Sequence, residues 1–128
     1  MEVLMPRFLA TEHLRRPADF EVVYSTRVSV ADNLVIIYGR VNALAYNRFG
    51  MSVSKKYGNA VRRNRIRRLY REAYRLTKAD LPAGMDLIVI PRTRNEPTVE
   101  QLKQSMVKLL RLLGKRLGRP PAGLIGPG

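Results

Sequence analysis

Residues Ser52–Arg75, SVSKKYGNAVRRNRIRRLYREAYR, run from the end of a strand through a turn holding Gly58 into a strongly basic helix. Nine cations, Lys55, Lys56, Arg62, Arg63, Arg65, Arg67, Arg68, Arg71 and Arg75, stand against one acid, Glu72. Such density is an electrostatic footprint for phosphate. Asn59 is placed to cap the helix. Beyond it Ile66, Leu69, Ala73 and Leu76 recur at three- and four-residue spacing with Tyr70 beside them, which predicts a buried stripe. At about 100° per residue, Asn64, Arg68, Arg71 and Arg75 fall on the opposite side, with Arg65 and Arg67 on its flanks. A merely solvated helix face mixes signs and favours Lys–Glu pairs at four-residue spacing. This one is nearly all Arg, whose planar fork suits phosphate and base edges.

Upstream, Pro17 suits the first position of a short helix, Asp19 and Glu21 complement its dipole, and Phe20, Val23 and Tyr24 line one side. Residues 28–30 and 34–41, separated by Ala31-Asp32-Asn33, read as a hairpin. Alternation puts Leu34, Ile36, Tyr38 and Arg40 on one face of its second strand and Val35, Ile37, Gly39 and Val41 on the other. In a third strand Phe49, Met51 and Val53 alternate with Arg48, Gly50, Ser52 and Ser54, a small or polar face expected to leave an open trough. After the basic helix, the turn Pro82-Ala83-Gly84-Met85 leads into Leu87-Ile88-Val89-Ile90, the continuous apolar run of a central strand closed by Pro91. Thr98 caps a last helix with Leu102, Met106, Leu109, Leu110 and Leu113 at helical spacing. The order α-β-β-β-α-β-α predicts an α+β domain, a four-stranded mixed sheet with three helices.

The 128 residues hold 24 Lys and Arg against 10 Asp and Glu, a net charge of +14 and a pI near 11.1. A compact chain so charged repels itself, and a polyanionic partner is expected. The length fits one domain, residues 17–117, with a basic N-terminal arm (1–16) before it and a disordered Pro/Gly-rich tail (118–128) after it. No apolar run approaches the length that spans a bilayer, and Met1 to Met5 lack the positive start of a secretory signal. A cytoplasmic protein without a membrane partner is expected. The lack of cysteine excludes disulfides, thiolate zinc sites and thiol nucleophiles. His13 is the only histidine, the acids are scattered singly with Asp80 and Asp86 flanking a turn, and no pair resembles a two-metal cluster. Neither a catalytic residue nor a metal site is expected in the protein itself, and the P-loop pattern is missing.

Lys55-Lys56, Gly58-Asn59-Ala60-Val61, Arg63-Asn64-Arg65, Ile66-Arg67-Arg68-Leu69 and Arg71-Glu72 resemble the signature of the bacterial ribonuclease P protein subunit. The likeness extends through Asp19-Phe20 and residues 34–38, 48–53 and 86–92, so that residues 14–113 are covered. It implies a fold similar to a domain of ribosomal protein S5, with a left-handed crossover where the right-handed form is the rule. It also implies an endoribonuclease working as a ribonucleoprotein. A catalytic RNA with bound Mg2+ hydrolyses the phosphodiester at the 5′ end of mature tRNA, and the isolated protein is inactive. Carried over by motif, Lys55, Lys56, Asn59, Arg63, Asn64, Arg65, Arg67, Arg68 and Arg71 contact the catalytic RNA. Phe20, Tyr24, Ile36 and Tyr38 line a cleft for the single-stranded 5′ leader of precursor tRNA. Tyr24 stands where family members often carry Phe, a change that keeps the stacking plane; Arg62 stands where some are apolar. The alternative is a ribosomal-type structural RNA-binding protein. A DNA-binding helix-turn-helix module fits less well, because the Gly58 turn joins a strand to a helix, and no DNA partner is expected.

Overall fold

A computed structural model describes residues 10–118. Its sheet consists of β1 (Ser29–Ala31), β2 (Val35–Val41), β3 (Arg48–Met51) and β4 (Met85–Pro91) in the order β1-β2-β4-β3. The apolar run after the basic helix therefore lies in a central strand, as its composition predicts. β4 is antiparallel to β2, from Val35 opposite Pro91 to Val41 opposite Met85, and parallel to β3, from Arg48 opposite Asp86 to Met51 opposite Val89. A parallel pair needs a long crossover, and α2 (Ala60–Thr77) supplies it. With α1 (Pro17–Ser25) before the sheet and α3 (Val99–Arg116) after it, the element order is the expected one.

Side chains alternate along a strand, so β4 feeds two cores. Leu87 and Val89 join Val35, Ile37 and Phe49 beneath α2 and α3, while Ile88 packs with Leu14 and Val23 beneath α1. The α3 stripe Leu102, Met106, Leu109, Leu110 and Leu113 is wholly buried. Thr98 and Gln101 close a reciprocal capping box at its start. The two faces are covered unequally: two eighteen-residue helices lie on one and a nine-residue helix on the other.

In α2 the buried residues are Ile66, Tyr70, Ala73, Tyr74 and Thr77, whereas Leu69 is half-buried and Leu76 is exposed. The stripe is rotated from the expected one by roughly 60°, counting 100° per residue. Tyrosine rings bury more surface than leucine when their hydroxyls find partners. Tyr70 Oη donates to the Leu34 carbonyl (3.0 Å), and the Tyr74 ring stacks on Phe49 with centroids 4.6 Å apart. Leu34, expected beside Ile36 and Tyr38, instead precedes the strand and joins the core under α2 and α3.

Residues 10–16, expected as part of an extended arm, are docked. A 3-10 turn (Ala10–Glu12) leads to His13, which bridges in parallel to Phe49, and the Leu14 N–H donates to the Phe49 carbonyl (2.9 Å). Leu14 is 3% exposed. Its segment covers the outer edge of β3, which would otherwise offer unpaired backbone groups. Residues 1–9 of the expected arm and 119–128 of the expected tail lie outside the described residues. The small face of β3 is no open trough at Gly50 either, because Phe20 and the Leu14 carbonyl fill that space. The opening begins at the exposed Ser52.

Asp86, which the sequence places beside a turn, is 2% exposed at the start of β4. It accepts from Arg48 Nε (2.8 Å) and Nη2 (2.7 Å) and from Asn42 Nδ2 (2.9 Å), with Arg40 Nε 3.7 Å away. Asp86→Ala would strand these donors. Because Arg48 keeps some contact with water, the expected loss lies at the low end for a broken buried pair, about 3 kcal/mol by urea unfolding. A loss below about 1 kcal/mol would place Asp86 among ordinary surface acids.

Candidate RNA-binding surfaces

The approach to α2 is built to expose cations. A 3-10 turn (Lys55–Tyr57) starts at Ser54, whose hydroxyl accepts from the Lys56 N–H (3.3 Å). Tyr57 turns inward, its hydroxyl donating to the Pro91 carbonyl (2.8 Å), so Lys55 and Lys56 stay outside. The chain then turns at Gly58 with φ of 122°, a conformation that disfavours any side chain. Asn59 caps α2, its Oδ1 accepting from the Arg62 N–H (3.0 Å).

Rotation of the buried stripe toward Tyr70 and Tyr74 sorts the arginines into classes. Arg63, Arg67 and Arg71, four residues apart, form a half-buried row, while Asn64, Arg65 and Arg68 are exposed. Arg67 Nη1 donates to Asn64 Oδ1 (3.0 Å), joining the row to the outer face. The Nε atoms of Arg63 and Arg71 are buried without a hydrogen-bond partner among the described residues. Burial, with Arg67 and Arg15 crowding in, lowers the pKa of Arg71. Among the described residues no ion pair neutralises this row, and an anion such as phosphate would satisfy it through charge-assisted hydrogen bonds. Two cations are already occupied. Arg65 pairs with Glu96 (2.8 Å) on the exposed flank, and Arg75 is held by Glu72 through two bonds (3.0 and 2.6 Å).

On the other face of the sheet the predicted aromatics come together. Phe20 and Tyr24 meet edge to face with centroids 6.4 Å apart, and Tyr24 meets Tyr38 at 5.0 Å and 80°. All three are half-buried on the floor made by Leu14, Val23 and Ile88. Burial pushes the Tyr24 phenol up, partly offset by the Ser52 hydroxyl and reinforced by Tyr38. Ile36 follows on the same strand face and lines a cavity of about 350 Å³ with Ser54, Lys56, Ile90, Arg92 and Arg94. Sequence patterning does not single out Arg92 and Arg94. Their signal is the basic run Pro91-Arg92-Thr93-Arg94 directly after the central strand. Lys56 belongs to both surfaces, closing the cleft and opening the ridge. Among the described residues no cluster of His, Cys, Asp or Glu could hold a metal ion, and no helix is long and apolar enough to cross a membrane.

A model of the protein family described as Ribonuclease P matches residues 8–114, which takes in the docked segment, both surfaces and most of α3. This chain belongs to the ribonuclease P protein family. The ribonuclease P protein component of Thermoanaerobacter sp. (strain X514) is 42% identical over 98 residues, covering 76% of this chain and 84% of the relative. The RNase P protein from Thermotoga maritima superposes with a TM-score of 0.72 at 30% identity, over 79% of this chain and 96% of that one. A Staphylococcus aureus RNase P protein, described as a mutant with defective mRNA degradation activity, superposes at 0.68 with 33% identity, over 80% and 87%. As a ribonuclease P protein the chain serves in tRNA processing, and the ribosomal-type alternative is not favoured.

If the ridge neutralises about five phosphates, log K for RNA against log salt should slope by roughly −3.5 to −4.5, depending on strandedness. Filter-binding titrations across a salt series measure it. A flat response would show that these cations are only solvated.

Proposed function

We propose that this chain is the protein subunit of a ribonucleoprotein that removes the 5′ leader of precursor tRNA, with the α2 ridge on the catalytic RNA and the α1–β2 cleft on the leader. The observation that carries the reading is the continuity of the two surfaces at Lys56, which lines the cleft cavity with Ile36 and stands at the entrance to α2. A single strand is held by stacking planes beside cations. Phe20, Tyr24 and Tyr38 offer the planes, Ile36 the apolar floor, and Arg92 and Arg94 the cations beyond it. Lys55, Lys56, Asn59, Arg63, Asn64, Arg65, Arg67, Arg68 and Arg71 take the catalytic RNA. In this reading the phosphodiester is hydrolysed with Mg2+ held by the RNA, the protein supplies binding and alignment, and the particle works in the cytoplasm.

Two substitutions separate the surfaces. Tyr38→Ala should cost about 1–3 kcal/mol in holoenzyme affinity for precursor tRNA with a several-nucleotide leader and almost nothing for mature tRNA. Equal weakening of both RNAs, or a drop in melting temperature typical of a core deletion, would return Tyr38 to the core. Arg68→Ala should weaken assembly with the catalytic RNA by about 1.5–3 kcal/mol while unfolding like the parent, because Arg68 is exposed opposite the buried stripe. Wild-type assembly would remove Arg68 from the contact set.

The division of labour has its own assay. Protein freed of RNA is incubated with precursor tRNA and with a linear mRNA, the second chosen because of the description of the Staphylococcus aureus mutant. Both substrates should stay intact. Cleavage of either would assign chemistry to the protein.

A further inference from the structure

Residues 12–16 link the elements that carry the two surfaces. Lys78, just after α2, holds Glu12 through contacts of 2.8 and 3.0 Å between mostly buried groups. His13 and Leu14 then line up with Phe49 of β3, and Leu14 packs with Val23 and Ile88. Arg15 follows, close enough to bear on Arg71. Where this segment crosses β3 it lies over Gly50, and so does the ring of Phe20. A Cβ at residue 50 would stand 2.7 Å from Phe20 Cζ, 3.0 Å from its Cε1 and 2.8 Å from the Leu14 carbonyl oxygen. These separations lie well inside the optimum of about 3.5–4.0 Å for carbon contacts. The ring could swing away. The carbonyl is backbone, in a residue anchored through its N–H to Phe49, and gives way less readily than a ring.

We infer that Gly50 and Glu12 are positioning residues for leader recognition. The bare backbone at Gly50 is the seat on which residues 12–16 and Phe20 rest, and the Glu12–Lys78 pair is the clamp that keeps the segment seated. Neither residue touches RNA. They act through Phe20, whose place on β3 sets its edge-to-face contact with Tyr24 and, through Tyr24, the approach to Tyr38. Tyr70 and Tyr74 hold α2 on the face of the sheet opposite Phe20, and residues 12–16 also reach α2, at Lys78 and beside Arg71. Crowding the seat at Gly50 therefore loosens the cleft on the face away from the ridge, whereas releasing Glu12 frees a segment that also borders α2. The inference rests on the leader-cleft reading above.

Holoenzymes reconstituted with Gly50→Ala, Glu12→Gln and Tyr38→Ala are compared for binding to precursor tRNA with a several-nucleotide leader, to mature tRNA, and for assembly with the catalytic RNA. Gly50→Ala should weaken leader-bearing substrate by about tenfold, the loss of one stacking contact, and change the other two affinities less than about twofold. Glu12→Gln, which crowds nothing, should act in the same direction by about threefold. Equal effects on precursor and mature tRNA, or none, would overturn the inference. Should Gly50→Ala fail to fold, Glu12→Gln decides by the same criterion. The Tyr38→Ala arm separates the two readings. If it too ignores the leader, the cleft assignment fails; if it is leader-selective while Gly50→Ala is not, only the positioning role fails.

Discussion

β4 has to be buried on both sides while pairing in opposite senses with its neighbours, and the rest of the molecule follows from that constraint. After Asp86 the strand runs Leu-Ile-Val-Ile with no polar face, and such a run needs a cover on each side of the sheet. The parallel pairing with β3 requires a helical crossover, which brings α2 onto one side, and α3 packs beside it. The antiparallel pairing with β2 places Tyr38 opposite Ile88 and Ile36 opposite Ile90 on the other side. There nine-residue α1 is the cover. It buries Ile88 completely and leaves Ile36, Tyr38 and Ile90 partly open. The cleft is the part of that face which α1 is too short to close.

Charge is distributed by a related logic. The domain is strongly basic, and three of its acids are spent on the scaffold. Asp86 ties β2, β3 and β4 through Arg40, Arg48 and Asn42. Asp32 organises the β1–β2 turn through the Leu34 and Val35 N–H groups, and reaches Ser105 and Lys108 of α3. Glu12 pins the N-terminal segment to Lys78. These three acids neutralise cations that hold elements together, and the row Arg63, Arg67, Arg71 is left crowded by like charge. Self-repulsion of this kind destabilises an isolated domain and is relieved by a polyanion. Structural economy and the proposed RNA affinity are the same arrangement seen from two sides.

Much of this was legible from residues alone. The element order, the caps Asn59 and Thr98, the central strand and the pairing of Phe20 with Tyr24 all follow from local rules, because propensity, periodicity and capping act over a few residues. The cationic ridge was equally legible, since no fold could neutralise nine cations with one acid inside the same stretch. The rotation of the α2 stripe was not. Tyr70 and Tyr74 count as intermediate in any hydrophobic pattern, and only Leu34 and Phe49, distant in sequence, make them better core residues than Leu69 and Leu76.

The same division holds at the candidate site. By itself the sequence determined that this chain carries a basic helix, aromatics spaced for one face, and the motifs of the ribonuclease P protein family. Tertiary structure alone decided that Gly50 is a filled seat rather than an open trough, that residues 10–16 close the β3 edge, that Asp86 is a buried hub, and that Arg92 and Arg94 extend the cleft. Each of these depends on contacts between segments far apart in the chain. The space beside a residue is set by what packs there, and no local pattern encodes it.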